Sequence, residues 1–209
     1  MIFMQGTPGF CQTPVGFDKY GFGIITVCRP GYGRTPLTED LKNPEAQADL
    51  IVALMDHLKI DKFPVYAVSG SGVIGYNIAI KYPDRVQCLL TASATTGNYD
   101  HPMVPMFENE EGRAAMAWPI IARIGTMFAK QMVKGVIVEE LMTCNNQKEG
   151  AFTKKQAEAV AEEKIKDPRM DAFGVESLPV HLTMGPLYPE SYDTILVDLN
   201  NYKVNIPFD

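Results

Sequence analysis

The first ninety residues switch repeatedly between two hydrophobic periods. Ile2-Phe3-Met4 is a short apolar run that stops at Gly6-Thr7-Pro8-Gly9, a turn signal. Gly23-Ile24-Ile25-Thr26-Val27-Cys28 is β-branched and unbroken, the pattern of a strand buried on both faces, and it stops at Arg29-Pro30-Gly31-Tyr32-Gly33. Leu50, Ile51, Leu54, Met55 and Leu58 recur at spacings of three and four, which predicts a helix over Ala46 to Leu58 with Asn43-Pro44 as cap and first turn. Phe63 to Val68 is a third strand, Val73 to Tyr82 a second helix, and Val86 to Ala92 a fourth strand. Strand and helix alternate, so the predicted fold class is α/β, with a parallel sheet and crossover helices.

After Ser93 the pattern becomes helical. Glu108 to Thr143 reads as helix in two pieces, and Thr153 to Ile165 as another, with Thr153 as cap and Gln156 in the capping-box position. Glu190 to Leu199 reads as a last short helix. Trp118 to Met142 is the most apolar long stretch, but Arg123, Lys130, Lys134, Glu139 and Glu140 interrupt it, so no membrane span is expected.

Composition narrows the function classes. The chain has 209 residues, 46% of them hydrophobic, enough for a real core. A net charge of -6 and the lack of a basic stripe argue against nucleic acid as a partner. Cys11, Cys28, Cys88 and Cys144 are dispersed with no CxxC pair, which fits neither a zinc site nor a dense disulfide frame. Cys28 and Cys88 sit in apolar runs and are expected to be small buried hydrophobes. That usage, with an N-terminus unlike a signal peptide, predicts a cytoplasmic location.

The chemistry concentrates at Ala67-Val68-Ser69-Gly70-Ser71-Gly72. A strand ends on a serine and a helix starts at once. Such a reversal strains the central residue, tolerates only small neighbours and lifts the side chain above the sheet edge. The helix N-terminus favours negative charge beside Ser69, and the Gly70 N–H would face an oxyanion. A phosphate-binding or merely tight turn is the plainer reading. No GK[ST] supports a P-loop and no GxGxxG a dinucleotide fold, so no cofactor is expected. The dispersed histidines and the lack of HExxH predict no metal site.

Three more segments join the serine: Gly6-Thr7-Pro8-Gly9, Arg29-Pro30-Gly31-Tyr32-Gly33-Arg34 and Ala79-Ile80-Lys81-Tyr82-Pro83-Asp84-Arg85-Val86. In this order and spacing they resemble the HGxPG loop, the D-x-x-G-x-G-x-S segment and the A-x-x-x-P-x-R-V helix end of the α/β-hydrolase superfamily. Measured back from Pro83, Ser69 stands at the nucleophile position, not Ser71. Gln5 and Cys28 replace the usual histidine and aspartate. The resemblance implies a mostly parallel sheet with a helical cap and a second oxyanion donor at the Thr7 N–H. It also implies a chain shortened at both ends, without the C-terminal strands. It divides the chain into a core (1–94), a mainly helical cap (95–204) and the start of a return to the sheet (205–209).

The implied activity is a serine hydrolase acting on a small apolar ester, amide or lactone. The triad needs an acid and a histidine after the nucleophile. Asp100 is the candidate acid and His181 the candidate base; His57 precedes the serine and reads as a helix-surface residue. Trp118, Met127 and Phe128 are candidate substrate-lining residues, or simply pack the cap. The alternative is a catalytically incomplete binding protein or fragment. An unpaired sheet edge would then favour association into oligomers.

Overall fold

In a computed structural model, the structure describes residues 1–7, 9, 18–98, 100, 104–116, 118–145, 152–166, 188 and 190–206. Four strands, β1 (Ile2–Met4), β2 (Ile25–Val27), β3 (Phe63–Val68) and β4 (Val86–Ala92), form one sheet in the order β2-β1-β3-β4. Every pairing is parallel, with Met4 level with Val27 on one side and Ala67 on the other. The strand C-termini, and the loops that follow them, therefore gather along one edge.

Helix α1 (Pro44–His57) begins as its sequence requires: Asn43 Oδ1 accepts from the Ala46 N–H at 2.8 Å and Pro44 fills the first turn. It packs against α2 (Gly72–Lys81). Ala48, Ile51, Val52 and Met55 from α1 and Val73, Ile74 and Ile78 from α2 are buried with Ile2, Met4, Phe63, Val65 and Ala67 of the central strands. Each large side chain removed from water contributes about 1.5–3 kcal/mol. A Cβ on Gly75 would stand 2.8 Å from the Ala67 Cβ, so both positions must stay small for α2 to lie this close to β3. On the other face Phe3 meets Tyr66, ring centroids 5.2 Å apart.

Two strands differ from expectation. Among the described strands β2 lies at an edge, and it is only half-buried, not enclosed on both faces. β4 is the other edge of the described sheet, and several of its positions face solvent. Cys88 is consequently free and exposed, a correction to its reading as a buried hydrophobe. Cys28 is half-buried and disulfide-bonded.

The chain separates into two compact units, 1–115 with 188–209, and 116–187. The first holds the sheet together with α3 (Val104–Glu108), most of α4 (Glu110–Met116) and α8 (Ser191–Asn201). The sequence placed these helices in the cap. α8 is tied to the loop after β2 by Arg29 on Asp198 and by Thr194 Oγ1 on the Gly31 carbonyl at 3.2 Å; α3 packs on α8, with Val104, Phe107, Ile195 and Leu199 all buried, and Arg113 Nε bonds Asp193 Oδ1 at 2.8 Å. Within the second unit α5 (Pro119–Met127), α6 (Ala129–Asn145) and α7 (Lys154–Lys164) pack in sequence. Thr153 caps α7 in the expected reciprocal box: the Gln156 N–H donates to Thr153 Oγ1 at 3.4 Å and the Thr153 N–H to Gln156 Oε1 at 2.7 Å. Among the described residues, no helix is long and apolar enough to cross a membrane.

Candidate active site

β3 ends at Val68, a 3-10 turn covers Ser69–Ser71, and α2 starts at Gly72. Ser69 has φ +53, the left-handed region that a residue with a Cβ rarely enters. The strain is held by its neighbours. Ser71, fully buried, accepts from the Val68 N–H at 2.9 Å, and its oxygen lies 2.8 Å from the Met4 carbonyl on β1. The Ser69 carbonyl accepts from the Thr95 N–H at 3.0 Å. Ser71 thus occupies its glycine-like position by binding the elbow to the neighbouring strand. Ser69 itself is exposed.

The loop after β1 runs directly against the serine. A Cβ on Gly6 would overlap the Ser69 Cβ and stand 2.9 Å from its Oγ. A Cβ on Gly70 would overlap the Tyr202 hydroxyl and stand 2.5 Å from Thr7 Oγ1. Thr7 and Gly70, the two residues expected to give oxyanion donors, are therefore neighbours.

Behind that loop lies a polar cluster that sequence reasoning missed. Arg29 and Asp198, 2% and 3% exposed, form a two-pronged ion pair: Nη1 to Oδ1 at 3.1 Å and Nη2 to Oδ2 at 2.7 Å. Asp198 Oδ2 also accepts from Tyr32 OH at 2.7 Å and Thr7 Oγ1 at 2.8 Å. Thr7 spends its single proton on the carboxylate, so Tyr202 OH, 2.6 Å away, donates to Thr7. The remaining guanidinium N–H groups hold the loop itself: Nε donates to the Gln5 carbonyl at 3.0 Å, Nη2 to the Gly6 carbonyl at 2.9 Å.

Burial works against the charge on Arg29, but Asp198 outweighs it and holds the guanidinium above its ordinary value. Burial, then Asp198, pushes Tyr32 well above the usual phenol range and Tyr202 up to about 12. A tyrosine in the unfolded chain loses its proton near pH 10. The stability Tyr202 contributes is therefore fully present below that pH and is lost as pH rises through about 12. Urea unfolding between pH 9 and 12 is expected to show a loss of stability in which the Tyr202 share is up to about 3 kcal/mol, so the loss is smaller in Tyr202→Phe. The same slope in both proteins would remove Tyr202 as its source.

Asp100 is exposed, 3.6 Å from Lys203 Nζ. His181 and His101 lie outside the described residues. His57 is exposed in the last turn of α1, a few residues before the start of β3, whereas Ser69 follows its end. Six strand residues, about 20 Å, separate those two ends. Trp118, Met127 and Phe128 are exposed on the second unit. No group of three or more metal-ligating side chains occurs among the described residues.

No protein-family model matches the chain. An uncharacterized hydrolase of Bacillus subtilis is 30% identical over 145 residues, 65% of this chain and 50% of that protein. The chain thus spans half the length of this curated relative. Among solved structures, an alpha/beta hydrolase fold protein from Nakamurella multipartita superposes with a TM-score of 0.56 at 24% identity, over 97% of this chain and 67% of that one. Est816, an N-acyl homoserine lactone degrading enzyme, gives 0.51 at 17% identity, over 92% and 61%. At these identities the likeness establishes the fold.

Proposed function

We propose that this chain, which has an α/β-hydrolase fold, carries the nucleophile and oxyanion half of a serine hydrolase acting on a small apolar ester, amide or lactone. The observation that carries the reading is the strained backbone of Ser69, φ +53, at the end of β3 with its side chain exposed. Strain of this size costs about 1–3 kcal/mol and persists where the surroundings over-determine it, as Ser71 and Thr95 do here. Its effect is to raise the hydroxyl above the sheet edge, next to a glycine loop too close to admit a side chain.

In this reading Ser69 Oγ bonds to a carbonyl carbon while the carbonyl π electrons move onto oxygen. The Thr7 and Gly70 N–H groups receive that oxyanion. The hydroxyl proton leaves to a base, and an orienting carboxylate would complete the unit.

A fluorophosphonate tests the nucleophile without needing turnover: Ser69 Oγ bonds phosphorus, the P–F bond breaks, and the proton and fluoride pass to solvent. Stoichiometric labelling, lost in Ser69→Ala, is expected. An unlabelled parent that nevertheless melts cooperatively would overturn the reading.

One observation favours a second, narrower reading. The described histidine, His57, lies at the far end of the sheet, and Asp100 is turned to solvent beside Lys203. A chain that lacks a base would bind substrate without turning it over. An N-acyl lactone and a p-nitrophenyl ester, offered in excess, separate the two: sustained release of product supports a complete hydrolase, and saturable binding without release the incomplete one.

A further inference from the structure

We propose that Arg29 is a positioning residue for the oxyanion site, acting through the plane of the Gly6–Thr7 peptide; this rests on the reading of Ser69 as nucleophile. A trans peptide points its C=O and N–H in opposite directions. Arg29 Nη2 donates to the Gly6 carbonyl at 2.9 Å, so the N–H of Thr7, in the same peptide plane, points away from the guanidinium. Arg29 Nε fixes the preceding carbonyl, Gln5, at 3.0 Å, and Thr7 Oγ1 lies 3.3 Å from Nη2. One rigid fork thus holds three consecutive residues of the loop.

The fork is held in turn. Asp198 engages both of its terminal nitrogens, and the donor chain Tyr202 OH to Thr7 Oγ1 to Asp198 Oδ2 closes the cluster around Thr7. The same two hydroxyls fill the space a side chain at residue 70 would take. They brace the Thr7 loop against the turn that carries the Gly70 N–H. Arg29 and Tyr202 are 2% and 3% exposed, so neither touches substrate. Their action is on orientation.

Charge compensation and orientation make different demands on residue 29. A lysine would answer the Asp198 charge but cannot bind Asp198, Gln5 O and Gly6 O together, since its three donors share one atom. The test uses the full chain with Arg29→Lys, Tyr202→Phe and Ser69→Ala. It reads kinact and KI for an alkyl fluorophosphonate, hydrogen exchange of the Thr7 and Gly70 amides, and the thermal melt. Expected for Arg29→Lys is a fall in kinact of about 10-fold to 100-fold with KI nearly unchanged, and about tenfold faster Thr7 exchange. Tyr202→Phe, which keeps the ion pair, is expected to move both in the same direction by less. Unchanged kinact and unchanged Thr7 exchange in a cooperatively melting Arg29→Lys would overturn the proposal. If that variant does not fold, Tyr202→Phe decides on the same criterion. If the parent itself takes no label, the nucleophile reading fails, and Thr7 exchange alone decides whether Arg29 orients the peptide.

Discussion

Asp198→Ala is expected to lower the unfolding free energy by about 3–5 kcal/mol, measured by urea titration at neutral pH. The size follows from what the substitution strands. Arg29 is 2% exposed, and Asp198 is the carboxylate that meets both of its terminal nitrogens. Truncation leaves a cation in the interior with carbonyl and hydroxyl partners at Gln5, Gly6 and Thr7 in place of a carboxylate. Tyr32 OH loses this acceptor in the same step. The double variant Arg29→Met with Asp198→Leu removes both charges and keeps the volume, and is expected to recover much of the loss. Loss in Asp198→Ala below about 1 kcal/mol would mean that water reaches the pair, contrary to its burial.

This cluster also marks where the sequence became illegible. The elbow at Ser69 could be read because its determinants are local: an apolar strand, one serine, then Gly70, Ser71 and Gly72. The Arg29–Asp198 bond spans 169 positions, and nothing near Asp198 names its partner. A signal did exist. Ser191, Thr194, Ile195, Asp198 and Leu199 are the buried positions of α8, spaced three and four apart, and Tyr202 continues the series. A carboxylate on the inward stripe of an amphipathic helix demands a buried cation. Arg29, beside a turn in an otherwise apolar segment, was the available one. The edges of the sheet failed for a different reason. Strand order is a tertiary property, so the run Val86 to Ala92 carries no local sign that β4 would lie at the edge of the described sheet with Cys88 exposed. α8 returns from far along the chain to group with the sheet unit.

Gly6→Ala is expected to cut fluorophosphonate labelling of Ser69 by about 100-fold or more. The added Cβ would overlap the Ser69 Cβ and press within 2.9 Å of both Ser69 Oγ and the Val68 carbonyl. The contact includes backbone and a Cβ fixed to it, so no flexible side chain can simply swing aside. Either the bonds that tie the Gln5 and Gly6 carbonyls to Arg29 yield or the serine moves, and a displacement of about 1 Å at a reacting group can cost 10²-fold. Stability should fall less steeply, by the 1–3 kcal/mol or so of an overpacked site. That contrast separates damage to the site from loss of fold. Gly23→Ala is the matched control: the same chemical change next to β2, where an added Cβ meets nothing within 4 Å. It should label and melt like the parent. Equal labelling of Gly6→Ala and Gly23→Ala would mean that the loop after β1 does not abut the nucleophile, and the oxyanion role of Thr7 would fall with it.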